Sequence, residues 1–182
     1  MSNFNHLFHG ELVKLTGVRD EDFALMMKWG EDAEYLRNVD TDIAIPKTKQ
    51  QFEAESTSSS NSFYFQVRTI QEDQLIGFVV IHSIEWNNRA GMLAIGIGEA
   101  KNRNKGYGTG ALRLILRYAF HELNLTRVGL DVIDYNKRAI RAYEKVGFQQ
   151  EGRLRSAVFR DGESYDRVLM GILYSEWLDM YK

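Results

Sequence analysis

Between residues 112 and 123, Leu112, Ile115, Leu116, Ala119, Phe120 and Leu123 recur at i, i+3, i+4, i+7, i+8 and i+11. That stripe predicts an amphipathic helix with one face turned to a core. Upstream, the period changes. Phe63-Tyr64-Phe65-Gln66-Val67 is aromatic and β-branched, as strands prefer. Leu75 to Ile84 is a long apolar run suited to a central strand, and Met92 to Gly98 is a third strand. Polar turns at Gln71–Gln74 and Trp86–Arg89 separate them, which predicts an antiparallel meander. Beyond the helix, Arg127 to Ile133 returns to strand, and Lys137 to Val146 is helical with Gly147 as its closing glycine. Phe148–Leu154 and Tyr165–Leu173 form a last strand pair around Asp161-Gly162. At the start of the chain, Leu12–Leu15 reads as a short strand. Asp20 is placed to cap a helix carrying Phe23, Met26 and Met27. Glu31–Asn38 and Thr48–Ser56 are two further short helices, with Pro46 in the loop between them and Ser56–Asn61 a loop of turn-forming residues. A meander followed by a β-α-β crossover predicts an α/β (α+β mixed sheet) fold with helices on both faces.

Composition narrows the function. The 182 residues are 44% hydrophobic and 26% charged, which fits one globular domain spanning 1–182. The net charge of −2 provides no global field for nucleic acid or an anionic membrane, so any anion site must be local. The absence of cysteine excludes disulfides, thiolate zinc sites and cysteine nucleophiles, and fits a reducing cytoplasm. No apolar stretch is long enough for a bilayer, and the N-terminal MSNFNHLFHGEL lacks a signal-peptide core. The expected location is therefore cytoplasmic. His6, His9, His82 and His121 show no ligand spacing, so none is assigned to metal or to catalysis.

The stretch Gly96 to Gly110 joins a strand to a helix and carries five glycines with Lys101, Arg103 and Lys105. Glycines let backbone amides approach a ligand, and a helix start adds unpaired N–H groups and partial positive charge. A pyrophosphate suits such a loop. A P-loop is excluded because no Gly-Lys-Ser/Thr closes it. Gly106-Tyr107-Gly108-Thr109-Gly110-Ala111 matches a dinucleotide fingerprint, with Asp131 near the distance of a ribose-binding acid. The preceding meander and the basic insertion argue against that reading. A tight structural turn is the third possibility. The fourth is R-x-x-G-x-G, written here as Arg103-Asn104-Lys105-Gly106-Tyr107-Gly108.

One strand later comes Asn136-Lys137-Arg138-Ala139-Ile140-Arg141-Ala142-Tyr143-Glu144-Lys145-Val146-Gly147-Phe148, an N-x-x-A-x-x-x-Y-x-x-x-G-F pattern. The two motifs, in this order, resemble the GNAT superfamily of N-acetyltransferases from about Ser62 to Leu173. Leu12–Trp29 is similar to that family's opening strand and helix. Glu151–Arg155, Arg160–Gly162 and Met170-Gly171 resemble the branch that acetylates ribosomal-protein N-termini and polyamines. Asn104 departs from this branch, which often has glycine there.

The resemblance implies two parallel strands, Met92–Gly98 and Arg127–Ile133, splaying apart around acetyl-CoA. It implies donor contacts from Gly96, Ile97, Gly98, Arg103, Asn104, Lys105, Gly106, Tyr107, Gly108, Thr109 and Asn136. Asn136 would hold the pantetheine arm, and the N–H of Ile97 or Gly98 would face the thioester oxygen. Tyr143 would protonate the departing thiolate, a role a phenol of ordinary pKa near 10 can serve. The acceptor is then a primary amine: a polyamine, another small amine or a peptide N-terminus. Glu85, Glu99 or water is the candidate base. Acids at Glu31, Asp32, Glu34, Asp40 and Asp42 sum with Arg37 to 1 − 5 = −4 and would wall the acceptor site, unless they are only a solvated surface. No metal is implied, and a homodimer is compatible. The competing reading is a non-catalytic acyl-CoA sensor.

Overall fold

A computed structural model describes residues 7–181, so His6 lies outside the described residues. The first strand, β1 (Val13–Thr16), pairs antiparallel with β2 (Phe63–Thr69), β2 with β3 (Leu75–Glu85), and β3 with β4 (Ala90–Ile97). That is the predicted meander. The chain then crosses through α4 (Tyr107–Arg117) to β5 (Arg127–Ile133), which is parallel to β4. The hairpin β6 (Gln149–Arg160) and β7 (Glu163–Leu173) completes a seven-stranded sheet of order β1-β2-β3-β4-β5-β7-β6. Asp161 and Gly162, with φ of 53° and 81°, form its tight turn.

The helices α1 (Asp22–Trp29), α2 (Ala33–Val39) and α3 (Lys49–Glu55) lie between β1 and β2. Each begins within two residues of its expected position, for identifiable reasons. Asp20 does not cap α1; the helix starts at Asp22, whose carboxylate accepts from the Arg19 amide at 2.9 Å and pairs with buried Arg68 on β2. Asp32 caps α2 by accepting from the Glu34 amide, and Thr48 and Gln51 form a capping box on α3. The amphipathic stripe continues past α4 into one π-helical turn, Tyr118–Glu122. Helix α5 (Lys137–Lys145) connects β5 to β6 and ends at Gly147 with φ 105°. A last helix, α6 (Tyr174–Met180), seats Trp177 against Phe120 at 5.5 Å.

The sheet separates two apolar layers. The larger gathers Val67, Val79, Ile81 and Leu93 with Leu112, Ile115 and Leu116 of α4. The smaller gathers Phe23, Met26, Trp29 and Tyr35 from α1 and α2 with Leu75. Among the described residues no helix is long and apolar enough to cross a membrane.

Candidate active site

The sheet is incomplete where β4 meets β5. Only Ala90–Met92 pair with Arg127–Gly129; beyond them the strands separate. The backbone facing that opening follows from register. Gly98 donates to the Ile76 carbonyl at 3.0 Å, so residue 98 hydrogen-bonds toward β3. Antiparallel pairs alternate, so the N–H groups of Leu93, Ile95 and Ile97 point the other way, into the opening. This corrects one expectation: the Gly98 amide is taken by the sheet and cannot face a thioester. Gly98 also lies outside β4, and no side chain fits there, because an added Cβ would lie 2.0 Å from the Trp29 ring.

The opening leads to a cavity of about 460 Å³ lined by Gly96, Ile97, Arg103, Asn104, Gly106, Gly108 and Thr109. It also takes Asp131 from β5, Asn136 just before α5 and Tyr143 from α5. Eight of the residues expected at the donor site, and Tyr143, are thus brought together; Gly98, Lys105 and Tyr107 are not on the lining. Local sequence explains the loop. Gly106 caps α4 with φ 83°, a left-handed conformation that glycine adopts without penalty. Asn104 has φ 59°, and asparagine is among the residues that tolerate that region. The missing glycine at 104 therefore costs the loop little. The amides before Gly110, whose own N–H closes the first turn on the Gly106 carbonyl, have no partner within α4.

The loop's charges are partly engaged. Lys101 pairs with Glu99 at 2.8 Å, and Arg103 pairs with Glu34 on α2 at 2.9 Å. The cavity's other cations are Arg138, Arg141 and Lys145 of α5 and Arg167 of β7. Burial lowers the Arg138 pKa, and the neighbouring Arg103 lowers it further. The three on α5 stand at i, i+3 and i+7 of one helix face, a spacing present in the sequence but outside the glycine loop. Two buried donors on the lining, Asn102 Nδ2 and Arg103 Nε, have no hydrogen-bond partner among the described residues. Such groups are costly unless a ligand meets them.

Asn136 is not within α5. It is the N-cap: its Oδ1 accepts from the Ala139 amide at 3.2 Å, and its Nδ2 donates to the Asn38 carbonyl at 3.3 Å. It therefore also ties α5 to the end of α2. Tyr143 is 7% exposed, its ring 5.8 Å from Phe148. Burial pushes its hydroxyl well above the ordinary phenol range, and Asp131 adds to the rise.

Neither expected carboxylate base reaches this cavity. Glu85 sits by the β3–β4 turn, accepting from Asn88 at 2.6 Å. Glu99 is held by Lys101. The acids of the α2 region are also engaged: Asp32 caps α2, Glu34 holds Arg103, and only Asp40 of the five lines the cavity. Asp40 is positioned by the β6–β7 hairpin, where Arg160 donates to the Arg37 and Asp40 carbonyls at 2.6 and 2.8 Å. Beside the main cavity lies a second of about 280 Å³, lined by Met26, Trp29, Phe52, Tyr64 and Phe78. Tyr35, Val39, Asp40, His82 and Ala94 line both.

Sheet, opening and helix start in this arrangement define an acyl-transferase type of scaffold, and the comparisons agree. The model of the acetyltransferase (GNAT) domain matches residues 13–149, so the chain belongs to the GNAT family. It is similar to the SPbeta prophage-derived uncharacterized N-acetyltransferase YokL of Bacillus subtilis, 26% identical over 170 residues, 92% of this chain and 93% of that protein. It is 33% identical over 115 residues to the spermidine N(1)-acetyltransferase of Vibrio cholerae, covering 63% of this chain and 65% of that protein. The crystal structure of spermidine N-acetyltransferase from Vibrio cholerae in complex with CoA and spermine superposes with a TM-score of 0.81 at 24% identity, over 91% of this chain and 98% of that one. The chain is an N-acetyltransferase of this family, with the family's mixed sheet.

Proposed function

We propose that this enzyme moves the acetyl group of acetyl-CoA directly to a primary amine. The observation that carries the reading is the single cavity in which the opened β4–β5 edge, the start of α4 and Tyr143 meet. Its residues suit the donor. The free amides at the start of α4 and the glycines at 106 and 108 would receive the pyrophosphate, with Arg138, Arg141 and Lys145 adding positive charge. Asn102 Nδ2 and Arg103 Nε, buried and unpaired, offer further donors. The outward N–H of Ile97 would polarise the thioester carbonyl, as preorganised amides stabilise developing oxyanion charge.

Tyr143 would return a proton to the departing sulfur. A phenol raised by burial stays protonated at neutral pH. The same dry surroundings raise the thiol's own pKa, so the proton transfer does not become one-sidedly uphill. The chain has no cysteine, and among the described residues no serine lines the cavity, which favours direct transfer through a ternary complex. The acceptor would enter on the face carrying α1–α3. Small amines are candidates because of the spermidine-acetylating relative, and peptide N-termini because the second cavity could take an apolar side chain.

The test is release of free thiol from acetyl-CoA in the presence of a panel of small amines and short peptides. Amine-dependent thiol release with an acetylated product is expected from at least one class. CoA binding without release from any would replace transfer with acyl-CoA sensing.

A further inference from the structure

Both carboxylates expected as bases lie elsewhere, which leaves the proton acceptor for the amine unassigned. His82 occupies the place where one is needed. It is on the sheet face shared by Tyr64, Val80, Ala94 and Met92, and it lines both cavities. The β3 strand is irregular just after it. The register shifts between His82 and Glu85, and Ser83 has φ 50°, a strained conformation for a residue other than glycine. Bulges of this kind re-aim a neighbouring side chain, and strain of this kind collects at working sites. The Ser83 hydroxyl is 3.0 Å from His82 Nδ1. With Nδ1–H donating to that hydroxyl, Nε2 keeps its lone pair, and among the described residues no partner occupies it.

We propose that His82 is the general base that takes the first proton from the acceptor ammonium at the junction of the two cavities. This rests on the transfer reading above. Nε2 accepts one proton from the ammonium. The freed nitrogen lone pair forms the bond to the carbonyl carbon, and the C–S bond breaks with its electron pair on sulfur. Tyr143 supplies that sulfur with a proton and recovers one from the new amide nitrogen. His82 finally releases its proton to solvent, so one proton leaves per amide and thiol formed.

The charged and titratable surroundings support the protonation state required. Asp131 on β5, Asp40 at the end of α2, Tyr35 on α2 and Tyr143 on α5 line the main cavity with His82. Arg167 on β7 binds Asp131 at 2.6 Å and limits its pull. Tyr64, and the Lys47–Glu55 ion pair at 2.8 Å, face the second cavity. Burial lowers the His82 pKa below its ordinary 6.5, while Asp131 and Asp40 oppose that shift. At neutral pH the imidazole is therefore uncharged and able to accept. An α-amino group, ordinarily near 7.7–8.0, gives up its proton to it more readily than an alkylamine near 10.4.

The experiment is the pH profile of kcat/KM for wild type and His82→Gln, with a peptide amide bearing a free α-amino group and a primary alkylamine as acceptors. Wild type is expected to rise along an acid limb centred below 6.5 and then level. In His82→Gln, kcat/KM at pH 7 is expected to fall roughly 100-fold, and the limb to move to each amine's own pKa, so that activity returns at high pH. CoA-dependent thermal stabilisation should persist, since the substitution leaves the start of α4 intact. A uniform drop with an unchanged limb, or no drop, would overturn the assignment while leaving acetyl transfer standing. Absence of wild-type turnover with every amine would instead remove the transfer reading, and this inference with it.

Discussion

Replacing Tyr143 with phenylalanine is expected to lower kcat by roughly 10²–10⁴-fold while leaving donor affinity and thermal stability near wild type. The substitution removes one oxygen from a ring that is 7% exposed and retains the edge contact with Phe148 at 5.8 Å. Packing is therefore kept, and only the proton for the leaving sulfur is lost. A thiolate expelled without that proton returns to the carbonyl more often than it departs. The pH dependence has a definite sign. Because burial and then Asp131 raise the Tyr143 pKa, the donor remains protonated through pH 10, so Tyr143 adds no basic limb below that point. Steady-state kinetics over pH 6–10, with donor affinity by calorimetry, checks both statements. Unchanged kcat in Tyr143→Phe would make Tyr143 a packing residue.

The second large effect is on the donor. Gly108→Asp is expected to weaken CoA binding by roughly 100-fold, because a carboxylate would sit where the pyrophosphate is received. Two unit charges about 5 Å apart at an effective dielectric near 20 repel by about 3 kcal/mol. Steric disruption is not the cause. A Cβ at 108 meets only Ile97 Cγ1, at 3.9 Å, an ordinary contact, and the position has no positive φ. An acid in the first turn of α4 also stabilises the helix dipole, so the apo protein should melt no lower than wild type. Calorimetric titration with CoA, beside melting curves without it, separates the two effects. Full CoA affinity in a folded Gly108→Asp would remove the start of α4 from the donor site.

The order of elements was legible in the sequence because each has a local cause. The period-3.6 stripe at 112–123, the capping residues Asp32 and Thr48 and the closing Gly147 all act over a few residues. What depends on pairing between distant strands was not legible. Glu85 looked well placed as a strand-end carboxylate, but β3 and β4 are antiparallel. The end of β3 therefore lies beside the start of β4, where β4 and β5 are still paired, and away from the opening. Glu99 failed for a local reason, its pairing with Lys101 two residues on. The place of His82 on both cavities was equally hidden. No spacing marks it, because its value comes from a bulge after it and from facing Met92 across the sheet, both properties of register. The acidic segment shows why charge counts mislead. Asp32 and Glu34 serve a helix end and Arg103, which leaves Asp40 to face the cavities. The hairpin β6–β7 ran longer than its apolar pattern because β6 is an edge strand, exposed over most of its length.

The most direct measurement is a single turnover with enzyme in excess over acetyl-CoA carrying an isotopically labelled acetyl group, mixed with a working amine and followed by mass spectrometry. Direct transfer predicts one free CoA thiol per labelled amide, appearing together, with the label on the protein at no time. Label accumulating on the protein before the amide forms, or labelled acetyl-CoA staying intact with the amine bound, would contradict it.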